Sequence, residues 1–479
     1  MSPSPSAETP AAQAAPTGFD PGSFRDWDSR VFLRDGRVFR ALSPDGLADW
    51  EALAGSRLFG EAIAEGTLVP TERIEDAAVP EGLVHGSAAV LEHERVPFVS
   101  YPYEWPFSML RDAALLQLEL LRRGLEEDLI LKDSTPYNVQ FRGAKPVFVD
   151  VGSFERIHPG EPWAAYRQFC LLFLNPLLLQ AYKGIPFRPW LRGSLDGISP
   201  TDLRRVLSFR DLFRRGVLTH VALHARLERK HSESRRDVKG ELKRAGFKKE
   251  LVLANVRGLE KLVRRLDWDP GRTEWNQYGA TTSYTDADAV RKEGFVREVV
   301  HQRPRELVWD IGCNEGRHSR IAAENARFVV SMDADEAVVD RYYRELAAEG
   351  TTSILPLVQN VTDPSPGLGW RGLERKPLDA RGRPDLTLCL AVIHHVAISG
   401  NVPVPEYLSW LAGLGTELVI EFPTRDDPRV AALLARKREG AHPDYDLEPF
   451  ERALGERFEV DRREELAGGT RILYAARPR

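Results

Sequence analysis

The sequence predicts an α/β protein: a doubly wound, mostly parallel sheet in the C-terminal half, preceded by a smaller α+β unit. The first observation is an alternation from about residue 300 onward, in the order LVWDIG, helix, RFVVSMD, helix, TSILPLVQN, DLTLCLAVI, helix, ELVIEF, helix, FEVDRRE, TRILYAA. Parallel strands need crossover helices, so this order implies helices on both faces of one sheet. The second is the less regular stretch 23–200. It holds a strand pair around SRVFLRDGRVFRAL, a helix from about Ser108 to Arg123, a hairpin at VQFRGAKPVFVDV, and then helices. Amphipathic repeats in TDLRRVLSFRDLFRRGVL and KKELVLANVRGLEKLVRRL predict helices between the two halves.

The 479 residues, 42% of them apolar, suffice for two or three ordinary cores. With 66 Lys+Arg against 71 Asp+Glu, the net charge of −5 is too near neutral for a general polyanion binder. The charge is uneven, however. Residues 201–265 carry 19 Lys+Arg against 8 Asp+Glu, an excess of eleven, which leaves sixteen net negative charges elsewhere. Cys170, Cys313 and Cys389 are the three cysteines, far apart, so neither a disulfide framework nor a paired-cysteine zinc site is expected, and a reducing, cytoplasmic setting fits. The first sixteen residues lack Lys, Arg and an apolar segment, which argues against a signal peptide and for a disordered leader. No apolar run is long enough for a membrane span, and the longest, Phe169 to Leu179, is expected to be a buried helix pair. The turn-rich WDPGRTEW marks a boundary. The expected division is therefore a leader at 1–22, an α+β domain at 23–200, a basic helical connector at 201–268 and the sheet domain at 269–479.

The strongest chemical signal is LVWDIGCNEGRHS: a strand ending in Asp310, then Gly312 and Gly316 in a tight turn entering a helix. Glycine is needed where a ligand must approach the backbone. Asn314 stands where a dinucleotide fingerprint has its second glycine, which disfavours a pyrophosphate cradle. Asp333 ends the next strand, 23 residues after Asp310, where an open sheet places a carboxylate against ribose hydroxyls.

These motifs resemble the first motif and following strand ends of the class I S-adenosylmethionine-dependent methyltransferases, over about 270–479. The resemblance implies a Rossmann-like domain in which Asp310, Gly312, Asn314 and Gly316 line the methionine portion of the cofactor. Asp333 would hold its ribose, and Asn360 with Val361 would flank its adenine. It also places Ala391, Val392 and His394 near the transferred methyl group. Methyl transfer to a hydroxyl needs alignment and a proton acceptor. His394 and His395 are the candidate bases and Glu421, ending ELVIEF, is the next; either histidine can equally be a packing residue. Trp275, Tyr278 and Tyr284, just ahead of the domain, are expected either as a lid or as interdomain packing.

Residues 129–155 contain Asp133, then Asn138, then Asp150 ahead of Val151 and Gly152. This order resembles the protein kinases and small-molecule phosphotransferases, in which the first Asp orients the acceptor while the Asn and second Asp hold magnesium. The resemblance implies a kinase-like domain, with Asn138 and Asp150 as its metal pair and Mg-ATP as a further cofactor. The domain is degenerate, because Met1 to Leu131 contain no lysine and no glycine-rich loop; Arg37 or Arg40 is the available substitute charge. Asp133 and Asp150 also have plain structural roles open to them, as a turn cap and a strand end.

YPYEWPFSML, LKDSTPYNVQF and the C-terminal domain together resemble the NoeA-like nodulation-type methyltransferases, a bacterial group, from about residue 85 onward. The reading is a methyltransferase acting on oxygen of a small-molecule or carbohydrate-type acceptor, the N-terminal domain serving docking or regulation. A nucleic-acid acceptor is disfavoured because IHHVAIS follows the fourth strand in place of the Asn-Pro-Pro-aromatic motif that holds a flipped base. A bifunctional kinase/methyltransferase and a nucleic-acid methyltransferase gripping phosphates through the basic connector are the alternatives.

Overall fold

The computed structural model describes residues 19–75, 87–226, 248–271, 285–438 and 440–479. Most of the leader, and the segment with Trp275, Tyr278 and Tyr284, lie outside the described residues.

The N-terminal unit opens on the hairpin β1 (Ser29–Arg34) and β2 (Arg37–Leu42). Asp35 and Gly36 both take positive φ at its turn, the conformation that matches the twist of a two-residue hairpin. Helices α1 (Pro44–Ala54) and α2 (Arg57–Ala64) lead to β3 (Thr71–Ile74) and β4 (Ala89–His93), completing an antiparallel sheet of order β1-β2-β4-β3. Ser43 caps α1 by accepting from Gly46 N–H, with Pro44 in the first turn. The packed chain begins before the expected leader boundary at 22: Phe19 bridges Phe32, and Asp20 N–H donates to Val31 O at 2.6 Å.

Helix α3 (Phe107–Glu126) buries thirteen of its twenty residues. It is followed by β5 (Leu129–Leu131), the hairpin β6 (Val139–Arg142) and β7 (Lys145–Phe148), and β8 (Phe154–Arg156), which pairs back on β5. The apolar run expected as a buried helix pair is α4 (Tyr166–Phe169), a π-helical turn Cys170–Leu174 and α5 (Asn175–Lys183). Helices α6 (Arg188–Gly193) and α7 (Pro200–Val206) follow. Within the expected connector, α8 (Lys249–Arg264) buries Val252, Val256, Leu259, Leu262 and Val263 and packs along α3. Val252, Val256 and Leu259 are four and three apart, and Leu262 and Val263 follow Leu259 by three and four, so all five share one stripe and this helix belongs to the core rather than to a solvated linker.

The C-terminal unit runs α9 (Asp286–Val300), β9 (Arg305–Ile311), α10 (Arg317–Ala323), β10 (Ala326–Asp333), α11 (Glu336–Glu349), β11 (Ile354–Val358) and β12 (Leu386–Cys389). It closes with α12 (Val404–Gly413), β13 (Glu417–Pro423), α13 (Pro428–Leu434), α14 (Leu447–Arg457), β14 (Phe458–Glu465) and β15 (Arg471–Pro478). The sheet order is β11-β10-β9-β12-β13-β15-β14. The first five strands are parallel, and β15 enters antiparallel between β13 and β14. Winding therefore reverses between β9 and β12, the switch point at which such sheets bind ligands.

One hydrophobic cluster spans both units. Polar contacts cross the same boundary. Ser108 N–H donates to Asp340 Oδ1 at 2.7 Å, and Tyr343 OH donates to Asp112 at 2.9 Å. Arg381 is bidentate on Glu104 at 2.6 and 2.7 Å, both side chains buried, with its guanidinium over the Tyr101 ring at 4.9 Å. Removing one partner of a buried ion pair strands the other charge. Glu104→Ala is expected to cost about 3–5 kcal/mol, read as a lower midpoint in urea unfolding; an unchanged midpoint would show that the two units do not depend on this contact.

Candidate functional site

The crevice at the carboxyl ends of β9, β10 and β12 is built by the loop between β9 and α10. Gly312 and Gly316 stand at φ +74° and +76°. A Cβ on Gly312 would lie 2.2 Å from Val392 Cγ2, and one on Gly316 1.9 Å from the Tyr342 ring, so both positions require glycine for the loop to pack against these side chains. Gly312 and Cys313 N–H groups both donate to Met332 O, at 2.7 and 3.0 Å, which ties the loop to the end of β10. Asp310 is buried and accepts from Ser319 Oγ at 2.6 Å, and Ser331 Oγ in turn donates to Ser319 at 2.8 Å.

Asp333 joins the loops. Its Oδ2 accepts from Asn314 N–H and its Oδ1 from Asp335 N–H, each at 2.9 Å. Ala334 N–H is a third backbone donor to this carboxylate, which leaves part of its lone-pair capacity for ligand hydroxyls. The end of β11 is tied in by Gln359 N–H, which donates to Asp333 O at 2.8 Å. Beyond it, exposed Asn360 turns its Oδ1 onto Thr362 N–H and Oγ1, and Val361 is half-buried. On the other side Ala391 takes φ +56°, and Asn314 takes +48°. Non-glycine residues held there cost about 1–3 kcal/mol each, strain that concentrates at binding sites.

His394 is fully buried, and neither ring nitrogen has a hydrogen-bond partner. Its ring lies 4.1 Å from that of half-buried His395. Burial pushes the His394 pKa well down, aided by the charges of Arg471 and Lys292, and pushes His395 down to about 4, so both are neutral near pH 7. Glu421 is fully buried and is held between Lys292 Nζ at 2.7 Å and Arg471 Nη1 at 3.1 Å; Arg471 also pairs with buried Asp427 at 2.7 Å. Lys292, Arg471, Asp427 and Ser319 went unnoticed in the sequence. Arg471 is brought beside Glu421 by the antiparallel β13–β15 pairing, which sets Pro423 opposite Arg471. No local motif records that.

Asp133, Asn138 and Asp150 meet in the N-terminal unit, away from this crevice. Asn138 Nδ2 donates to Ser153 Oγ at 3.0 Å, and Ser153 Oγ donates to Asp150 Oδ2 at 2.5 Å. Asp150 Oδ1 accepts from Arg40 Nη1 at 2.7 Å. Arg40, on β2, also donates to Ser29 Oγ at 2.6 Å and to His93 Nε2 at 3.2 Å. His93 is neutral by burial, so its Nε2 accepts from Arg40 while Nδ1–H donates to Thr71 Oγ1 at 2.8 Å. Asp133 is solvent-exposed, and partial desolvation with the Asp150 charge raises its pKa. No group of three or more His, Cys, Asp or Glu arranged to hold a metal occurs among the described residues.

The N-terminal unit grips both loops that flank Asp333. Gln180 Nε2 donates to Glu336 Oε1 at 2.6 Å and Arg188 Nε to Glu336 Oε2 at 3.2 Å. Arg192 is bidentate on Asp363 at 2.9 and 3.0 Å.

A seven-stranded sheet of this order, with a reversed strand before its edge and a glycine loop facing an acid on the next strand, gives the C-terminal unit a doubly wound, Rossmann-like fold. No protein-family model matches the chain. Nodulation protein NoeA of Rhizobium meliloti (strain 1021) is 33% identical over 472 residues, 98% of each chain, and this chain belongs to the NoeA family. Among solved structures, N-methyltransferase NodS from Bradyrhizobium japonicum WM9 matches 40% of this chain and 97% of its own at 12% identity, TM-score 0.30. Magnesium protoporphyrin IX methyltransferase (ChlM) from Synechocystis PCC 6803 with bound SAH matches 43% of this chain and 93% of its own at 18% identity, TM-score 0.30.

Burial raises the Asp310 pKa to about 6, against the Ser319 hydrogen bond and the Lys292 charge. The folded state then binds this proton more tightly than the unfolded chain does. Stability relative to Asp310→Asn should fall as pH rises from about 4 to about 6, by roughly 3 kcal/mol in all. Urea titrations across that window check it, and parallel profiles for the two proteins would count against it.

Proposed function

We propose that the protein is an S-adenosylmethionine-dependent methyltransferase that methylates a hydroxyl of a small-molecule or carbohydrate-type acceptor. The observation that carries this reading is the Asp333 carboxylate, held by backbone N–H groups from the loops after β9 and β10 at the carboxyl edge of the sheet. The bound cofactor would supply an electrophilic methyl on a sulfonium. Asp333 accepts the ribose hydroxyls, the backbone at Gly312 and Gly316 admits the methionine portion, and Asn360 with Val361 borders the adenine. Ala391 and Val392 set the floor where acceptor and methyl align. His394 is read as the proton acceptor because both its ring nitrogens are uncommitted; burial makes it a weak base, so it takes the proton only as the methyl group transfers. His395 is the second. Glu421, paired with two cations, anchors the charged floor of the site and is not assigned as base. Three buried free cysteines support a reducing, cytoplasmic setting. No helix among the described residues is long and apolar enough to cross a membrane.

Asp333→Ala should weaken binding of S-adenosylhomocysteine by about ten- to a hundredfold, since hydrogen bonds to a charged group contribute roughly 1.5–3 kcal/mol. Isothermal titration checks this, and an absence of heat with the wild-type protein would remove the methyltransferase reading itself.

The N-terminal unit is read as kinase-like in layout and as a docking or regulatory unit in use. The run α3, β5, the Asp133–Asn138 loop, the β6–β7 hairpin and Asp150 supports the layout. Arg40 supports the second half: its guanidinium already neutralises Asp150, where a kinase would place magnesium. Wild-type protein with magnesium and ATP is expected to consume no ATP, while Asp133→Ala lowers methylation. ATP turnover abolished by Asp150→Ala would establish the bifunctional reading instead.

A further inference from the structure

Among the described residues of the basic segment, the stretch after α7 carries apolar side chains both inward and outward. Leu203, Leu207, Val217 and Val221 turn inward and are buried. Between them, a 3-10 turn (Arg210–Phe213) and a π-helical turn (Val217–Ala222) carry large apolar side chains outward. Phe209 is 72% exposed, Phe213 80%, Leu218 64% and Leu223 50%. Such residues rarely cluster on a surface without a partner. They are interleaved with the exposed arginines Arg205, Arg210, Arg214, Arg215 and Arg226. Arg205 pairs with Asp202, and Arg214 with Asp211 while lying over the Tyr182 ring. Arg210 and Arg215 make no ion pair among the described residues.

We propose that this surface docks the protein on an anionic lipid bilayer, with Phe209, Phe213, Leu218 and Leu223 entering the headgroup boundary and the arginines meeting anionic headgroups. Charge complementarity selects this occupant: residues 201–226 carry six arginines against two acids, Asp202 and Asp211, both already paired with arginines. Interleaved phenylalanine and arginine is the composition of interfacial segments. RNA is the other polyanion. A base-stacking platform is built from aromatic faces, whereas two of the four exposed apolar side chains, Leu218 and Leu223, are aliphatic and offer bases nothing to stack on. This inference is independent of the methyltransferase reading.

The test is cosedimentation of the full chain with phosphatidylcholine vesicles, with and without phosphatidylglycerol. Partition onto the anionic vesicles only is expected. Phe209→Ser/Phe213→Ser and Arg210→Glu/Arg215→Glu should each lower the partition coefficient by about tenfold or more. Both double variants change exposed positions, so circular dichroism should match the wild type. Failure of the wild type to sediment, equal partition onto neutral vesicles, or partition unchanged in both variants overturns the proposal. So does tighter binding of a single-stranded RNA oligonucleotide that depends on the same residues.

Discussion

The carboxylate of Asp333 is the constraint on which the C-terminal site turns. It receives an N–H from the loop after β9 and another from the loop after β10, so two strand ends are held against one group. The arrangement is possible because β9 and β10 are parallel neighbours and both release their loops at the same edge. The winding reversal then brings Ala391 and Val392 from β12 to the opposite side. Gly312 is required by Val392, and Gly316 by Tyr342. Each glycine answers a neighbour from another element.

The second dependence runs between the units. Glu336 opens α11 directly after the Asp333 loop and is gripped by Gln180 and Arg188; Asp340, a turn later, is gripped by Ser108. On the far side of the loop, Asp363 is gripped by Arg192. The helical run that supplies Gln180 begins near Gln168, whose Oε1 accepts from Ser134 N–H in the Asp133 loop. The Asp133 loop and the loops flanking Asp333 are thus joined through α4, the π-helical turn and α5.

Much of this was legible in the sequence where the information is local. The strand-turn-helix at Asp310 to Gly316, Asp333 at its strand end and the Asp-Gly hairpin at 35–36 each depend on a few consecutive residues. What depends on pairing across the chain was not. Glu421 reads as an acid at a strand tip, and only the sheet register and α9 reveal the two cations that hold it. Arg40 was one of two candidate charges, and Ser29, His93 and Asp150, from three distant segments, single it out. The helix at Lys249–Arg264 looked like a connector because its charge is conspicuous, whereas its buried stripe is visible only against α3.

A crystal structure of the full chain grown with S-adenosylhomocysteine tests the account most directly. The account predicts a nucleoside in the β9–β12 crevice, both ribose hydroxyls on Asp333, and the sulfur facing Ala391 and His394. A nucleoside that leaves Asp333 uncontacted, or that binds instead at the Arg40–Asp150 pair, would contradict it.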